Sequence, residues 1–88
     1  MEKIRIDLVR LKTEEDALKR FGRVKGMPAD YNSELEELHG ILQAWDKPLK
    51  IEIVIGGNIG PFTKLMEMLE NVRTTNNNLL FVVIMYMA

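Results

Sequence analysis

The side chains best suited to a chemical role are five carboxylates that stand close together in the middle of the chain. They lie within residues 26–46, a stretch without lysine or arginine, so its formal charge is −5. Such a run is typical of the solvated face of a helix, and it also suits a docking surface for a basic partner. The sequence leaves both interpretations open. The five carboxylates are Asp30, Glu34, Glu36, Glu37 and Asp46.

Residues that could support catalysis or hold a cofactor are few. The chain has no cysteine, and its one histidine, His39, stands beside leucines on a predicted helix, where we expect it to be partly packed. One histidine and scattered carboxylates make a poor ligand set for a metal. We therefore expect a protein that is not an enzyme, with no catalytic residue, no cofactor and no metal.

The glycine-rich segment Gly56–Gly60 follows a predicted strand and precedes a predicted helix, which is the usual place for a phosphate-binding loop. Its spacing fits neither the P-loop nor the dinucleotide fingerprint, and no lysine follows at the required position. We expect a tight strand-to-helix turn, in which Asn58 and Gly60 are residues that tolerate left-handed backbone conformations.

Length and composition limit the class of protein. With 88 residues, 47% of them apolar, the chain is expected to form a single domain over 1–88. Its 12 basic and 13 acidic residues nearly cancel, so neither nucleic acid nor a membrane is an expected partner. The longest uncharged apolar run, 79–88, is too short for a membrane helix of about 18 residues. Because there is no cysteine and no signal-peptide pattern, we expect a cytoplasmic location.

Hydrophobic periodicity predicts three strands and three helices. Thr13 is a favourable N-cap for the first helix and Gly26 a favourable end, while Ser33 and Glu36 have the spacing of a capping box. Strands that alternate with helices favour a parallel sheet. The predicted order is strand 3–9, helix 14–25, helix 33–45, strand 49–55, helix 61–75 and strand 79–87.

The outer face of the helix over 33–45 carries few large side chains. Leu38 and Leu42 are at the centre of its apolar stripe, whereas Glu36 and Gly40 are at the centre of the opposite face. A glycine inside an exposed helix costs up to about 1 kcal/mol relative to alanine. Gly40 is therefore either incidental or a place where another protein's backbone approaches closely. Tyr31, just before this helix, either covers the core or is an exposed interface anchor.

The segment from Met27 to Leu38, MPADYNSELEEL, resembles the signature of the barstar family. That signature is a Leu-Pro, one or two aromatic residues, a small turn residue and then Asn-Leu-Asp-Ala-Leu. The capped helix before it, the segment Pro48–Glu52 and the final helix and strand also look like that family, so the resemblance covers nearly the whole chain. It implies a two-layer α/β fold with a three-stranded parallel sheet in the order 1-2-3.

The resemblance also implies a function, because barstars are cytoplasmic inhibitors that block the cationic active site of a ribonuclease. They bind it through the aromatic turn, the exposed helix face and a glutamate on the last helix. The two acids of the helix face fall at Glu36 and at Gly40, which has no side chain. The late glutamate falls at Glu70, with Asn71 as the competing alignment.

We therefore expect a binding protein whose partner is a basic nuclease, barnase-like or another toxin. The acids at 34, 36 and 37 would supply the charge. The resemblance assigns the aromatic turn to Asp30 and Tyr31, and the tryptophan beside the second acid to His39. The complete expected partner-binding set is Asp30, Tyr31, Glu34, Glu36, Glu37, His39, Gly40 and Glu70.

The alternative function is that of a self-associating structural or interaction domain without nuclease-inhibitor activity. The strand over 79–87 is apolar on both faces and would lie at an edge of a sheet in the order 1-2-3. Long apolar edges tend to pair with other chains, and open apolar patches mark interfaces. A homodimer through this strand is therefore expected, and both functions can hold because they use different surfaces.

Overall fold

The computed structural model describes residues 2–86 and confirms the predicted two-layer α/β fold. A three-stranded parallel sheet is packed against three helices, in the predicted order along the chain. No helix within residues 2–86 is long and apolar enough to cross a lipid bilayer. The elements are β1 (Glu2–Asp7), α1 (Glu14–Phe21), α2 (Leu35–Gln43), β2 (Leu49–Ile55), a 3-10 turn (Gly60–Phe62), α3 (Thr63–Thr75) and β3 (Leu79–Met85).

The sheet has the predicted strand order β1-β2-β3, so that β2 is central and the other two strands are edges. Both pairings are parallel, with Ile6 opposite Ile53 and Ile53 opposite Val83. Side chains alternate between the two faces of a strand, and one set of alternate residues packs against the helices. This helix-side core includes Ile6, Ile51, Ile53, Phe21, Leu38, Leu42, Leu65 and Val72, all of them buried.

The first helix begins as predicted but ends earlier, at Phe21 instead of 25. Its predicted cap is confirmed, since the Thr13 hydroxyl oxygen accepts a hydrogen bond of 3.1 Å from the Asp16 N–H. Beyond Phe21 the Val24 N–H donates to the carbonyl three residues back, as in a 3-10 turn. The turns close at Gly26, whose φ of +100° is a conformation that favours glycine.

The helix over 33–45 is observed as α2, and its predicted capping box is wrong. Ser33 has a φ of +61°, and the N-cap position is Glu34, which makes no side-chain capping hydrogen bond. The turn after β2 does not use a left-handed conformation at Asn58 or Gly60, because positive φ values within residues 2–86 occur only at Gly26 and Ser33. Instead, the Asn58 side-chain oxygen accepts from the Gly60 N–H at 3.2 Å and closes the turn.

The first strand begins earlier than the predicted 3–9, at Glu2, and also ends earlier. β1 stops at Asp7, where the side chain accepts a hydrogen bond of 2.9 Å from the Val9 N–H and turns the chain out of the sheet. β3 is described from Leu79 to Met85, and its predicted end at Met87 lies outside the described residues. The predicted bounds of β2, 49–55, are confirmed.

The face of the sheet away from the core is divided into a charged half and an apolar half. On the charged half, Glu52 lies in the central strand with three basic side chains around it. Its carboxylate is 3.4 Å from Arg5 Nε, 3.9 Å from Lys50 Nζ and 4.0 Å from Lys3 Nζ. On the other half, β3 contributes only apolar side chains, Leu80, Val82 and Ile84.

Candidate protein-binding surface

The candidate surface is centred on α2, whose amphipathic sequence fixes which side chains face outward. Leu38 and Leu42, one turn apart, are buried in the core. The residues on the opposite side of the helix, Glu36, Gly40 and Gln43, are exposed. Because positions i, i+4 and i+7 share one face of a helix, these three residues form a continuous strip, as predicted.

Glu37 is turned back toward the chain that precedes the helix. Its Oε1 atom accepts a hydrogen bond of 2.8 Å from the backbone N–H of Asn32. Glu37 therefore ties the first turn of α2 to the segment before it, although it does not cap the helix. Its carboxylate is also favoured near the positive end of the helix dipole.

Tyr31 is fastened to α1. Its hydroxyl donates a hydrogen bond of 2.7 Å to the carbonyl oxygen of Leu18, and its ring packs against the core. A Cβ added to Gly22 would lie 3.2 Å from the ring, so this glycine lets the tyrosine approach closely. Burial of the phenol, with the negative charge of Glu37 nearby, raises the pKa of Tyr31 from 10 to about 12. The side chain is half-buried, which favours the covering role while leaving part of the ring accessible.

Among residues 2–86, the acids at the start of α2 form no ion pair with a lysine or arginine. Within the described part of the chain, no lysine or arginine lies within 4 Å of the carboxylates of Glu34, Glu36 or Glu37, whereas Glu15 and Glu52 each have such a partner. Glu34 and Glu36 are exposed, as is Asp30 in the preceding turn. This end of the molecule therefore presents uncompensated negative charge to the solvent.

His39 joins α2 to α3. Its Nε2 atom is 3.0 Å from the side-chain oxygen of Asn71, which also accepts a 3.4 Å hydrogen bond from Gln43. Since an amide oxygen only accepts, the proton of His39 is on Nε2 in this contact. No group of three or more histidine, aspartate or glutamate side chains within residues 2–86 is placed to hold a metal ion.

The structure separates the two alignments proposed for the late glutamate. Asn71 lies beside α2 through its contacts with His39 and Gln43. Glu70, one residue earlier, lies against Arg73 of its own helix, whose Nε donates a hydrogen bond of 3.0 Å. The hydrogen bonds and charge of Arg73 lower the pKa of Glu70 and offset its charge. Of the two residues, only Asn71 adjoins the outer strip of α2.

At Gly40, in the middle of the outer strip, the surface of α2 carries no side chain. A Cβ built there meets no atom within 4 Å apart from the adjacent residues and the backbone of its own helix, so neither packing nor a positive φ requires a glycine at this position. The next residue toward the C-terminal end of this face, Ala44, is also small and exposed. The N-terminal half of this face is therefore negatively charged, and its C-terminal half is flat where the small residues Gly40 and Ala44 lie.

Sequence reasoning missed the residue that holds the C-terminal end of α2 in place. Asn76, between α3 and β3, is buried, and its side-chain nitrogen donates to the carbonyl oxygens of Leu42 and Trp45 at 2.9 and 3.0 Å. In the sequence, the three consecutive asparagines at 76–78 indicate only that the preceding helix ends. A buried asparagine is not distinguishable there from its exposed neighbours by sequence pattern.

The chain matches no known family model, and no curated protein matches it significantly.

Proposed function

We propose that the protein is a binding protein of the barstar type, which inhibits a basic nuclease by placing the outer strip of α2 against the enzyme's cationic active site. The observation that carries this proposal is the lack of internal compensation for Glu34, Glu36 and Glu37. The fold that the barstar resemblance implies, a parallel sheet in the order 1-2-3 under helices, supports it.

Electrostatic attraction orients the two proteins in the proposed interaction and raises their association rate. A nuclease concentrates positive potential where it binds RNA or DNA phosphates, and a negative helix face complements that potential. Because the acids of α2 form no ion pair with a lysine or arginine in the described part of the chain, they can attract a cationic partner without first breaking such pairs. We expect the association rate to fall steeply as salt is added.

The small size of the side chains on the outer side of α2 determines how closely the partner can approach the helix. Gly40 and Ala44 give α2 a flat outer side, which allows a partner's backbone to lie near the helix. The side chains of His39 and Asn71 border this flat area and offer hydrogen-bonding groups to the partner. In this arrangement the partner meets carboxylates at 34 and 36 and close backbone contact at 40.

The proposal assigns no catalytic role to any residue and places the protein in the cytoplasm, where such inhibitors protect the cell that makes the nuclease. Tyr31 contributes the exposed part of its ring, while its hydroxyl holds the turn to α1. Glu70 lies outside the central contact, because Arg73 offsets its charge.

The test is an RNA-cleavage assay with a purified barnase-type ribonuclease, together with titration calorimetry of the same pair. The wild-type protein is expected to inhibit cleavage at a one-to-one ratio. Glu36→Gln, which removes one uncompensated charge, is expected to weaken binding at least tenfold, since truncating one partner of a buried charge pair costs roughly 2–5 kcal/mol.

Glu15→Gln is the matched control, because it removes the same charge from an exposed glutamate on α1. It should inhibit as the wild type does. No inhibition by the wild-type protein at micromolar concentration would refute the proposal for this class of nuclease. Equal loss of inhibition in both variants would show that the effect comes from net charge instead of the α2 surface.

A further inference from the structure

The two edges of the sheet differ in the side chains that protect them. On β1, the exposed face carries Lys3, Arg5 and Asp7, and charges of this kind discourage a second chain from pairing with an edge. On β3, all seven residues from Leu79 to Met85 are apolar, with no charge and no proline. The β3 edge therefore lacks the charged side chains and the proline that discourage pairing at other edges.

The hydrogen bonds at the two ends of β3 show which of its backbone groups face outward. The Asn78 carbonyl accepts from the Leu49 N–H, and the Tyr86 N–H donates to the Ile55 carbonyl, both toward β2. Because both backbone groups of a strand residue point to the same side, the even-numbered residues of β3 bond to β2. The odd-numbered ones, including Phe81 and Val83, point their N–H and C=O groups away from the sheet.

Apolar side chains are exposed along the same edge. Val83 is 49% exposed and Met85 56% exposed on the helix side, and Leu80 is 47% exposed on the open face. This edge therefore has unpaired backbone groups with exposed apolar side chains on both faces. When another strand pairs with such an edge, it hydrogen-bonds to these backbone groups and buries the side chains.

We propose that β3 of one copy pairs antiparallel with β3 of a second copy, about a two-fold axis at Val82, to form a continuous six-stranded sheet. This surface is separate from the outer strip of α2, so the proposal does not depend on nuclease binding. In this register Val82 faces its own counterpart, Leu80 faces Ile84, and Phe81 faces Val83. Every cross-strand pair is then apolar with apolar on both faces.

The distribution of charge favours a second copy of the chain as the partner that pairs with β3. β3 brings no charge to the seam, so no charged group is buried when it pairs with itself. The basic cluster around Glu52 belongs to β1 and β2, and the two β2 strands would be three strand spacings apart, roughly 14 Å. That separation exceeds the screening length of about 8 Å at physiological salt, so the two clusters do not oppose the pairing.

Cysteine cross-linking tests the register, because the chain has no cysteine of its own. Val82 would form a non-hydrogen-bonded pair at the axis, with Cα atoms about 4.5 Å apart, which is within the range of a disulfide. Val82→Cys should convert largely to a disulfide-linked dimer under mild oxidation. Lys3→Cys, on the other edge, is the control and should remain largely monomeric.

Equal cross-linking of the two variants would refute the register, and no cross-linking of Val82→Cys would refute the pairing. Unfolding of each variant under reducing conditions should resemble that of the wild type, which shows that the comparison is made on folded protein.

Sedimentation equilibrium and amide hydrogen exchange test the dimer without cysteine. The mass should rise from 10.2 kDa toward twice that value as concentration increases to about 1 mM, since a single strand pairing is smaller than a standard interface of about 800 Å² per partner. The amides of Phe81, Val83 and Met85 should become protected at high concentration, while those of Val82 and Ile84 are protected throughout.

Val83→Pro provides the decisive variant, because it removes an N–H that faces away from β2 and is tolerated at an edge. It should stay monomeric at every concentration, whereas Lys3→Pro, the equivalent change on β1, should still dimerise. A wild-type protein that remains monomeric at 1 mM would overturn the proposal and leave this edge to a strand from a different protein.

Discussion

The side-chain amide of Asn76 donates a hydrogen bond of 2.9 Å to the carbonyl oxygen of Leu42, across 34 positions of the chain. The same nitrogen is 3.0 Å from the carbonyl oxygen of Trp45. Carbonyl groups at the end of a helix have no partner within it, and here Asn76, from the segment after α3, adds a side-chain donor to the backbone N–H of Trp45 that also reaches Leu42. This contact joins the C-terminal end of α2, which carries the candidate binding surface, to the segment between α3 and β3.

Asn76→Ala should lower the free energy of unfolding by roughly 2–3 kcal/mol. The variant removes the hydrogen bonds from Asn76 to the carbonyls of Leu42 and Trp45 and the one its side-chain oxygen accepts from the Asn78 N–H. Each is worth about 0.5–1.5 kcal/mol, although the Trp45 N–H and the Asn78 side chain still donate to the two carbonyls. Urea denaturation followed by circular dichroism would measure the change. Asn77→Ala, at the exposed neighbouring position, is the control and should change stability by less than about 0.5 kcal/mol; an equal loss in both would show that Asn76 has no special role.

Tyr31→Phe should destabilise the protein by about 1 kcal/mol, because it removes the hydrogen bond to the Leu18 carbonyl while keeping the ring in place. Chemical denaturation at pH 7 would measure this difference. Tyr86→Phe, at an exposed position, is the matched control. If the Tyr31→Phe variant were as stable as the wild type, a water molecule would have to donate to the Leu18 carbonyl in place of the hydroxyl at no cost in free energy.

The same tyrosine should make stability depend on pH in the alkaline range. Its pKa in the folded state is raised to about 12 from 10, so between these values the folded protein binds the phenolic proton more tightly than the unfolded chain. This contribution is complete below pH 10 and is lost as the pH rises through about 12. The stability difference between wild type and Tyr31→Phe should therefore shrink over that interval, as measured by denaturation at fixed pH values. A constant difference would contradict the assignment.

Gly40→Ala should raise the free energy of unfolding by about 0.5–1 kcal/mol, because alanine is the better helix former and the added Cβ meets open space. Thermal unfolding would measure the gain. If the partner's backbone approaches α2 closely at this point, the same variant should bind the nuclease more weakly. A variant that is more stable and binds equally well would show that Gly40 is incidental.

Glu52→Gln should destabilise the sheet by about 1 kcal/mol in low salt, because it leaves Lys3, Arg5 and Lys50 facing one another without a counter-charge. The loss should diminish in 1 M sodium chloride, where the repulsion is screened. Glu15→Gln, which breaks a single exposed pair on α1, should cost less. A loss that does not change with salt would indicate a packing effect instead.

The sequence by itself determined the class of fold and the position of the acidic surface. Alternation of apolar residues marks β2 at its observed bounds, and the spacing of Leu38 and Leu42 predicts correctly which side of α2 is buried. These features depend on local periodicity, which is written along the chain. The ends of elements were predicted less well, because Ser33, expected as a cap, adopts a left-handed conformation and α2 begins without a side-chain cap.

Only the tertiary structure decided how the side chains of the surface are paired. It places Asn71 beside His39 and Glu70 against Arg73, it fastens the Tyr31 hydroxyl to Leu18, and it buries Asn76. Apart from the Glu70 pair, these contacts join residues 13 to 34 positions apart. Sequence pattern could not reveal them, because a hydrogen bond between distant residues requires the elements to be packed in place, and neither partner carries a local sign of the other.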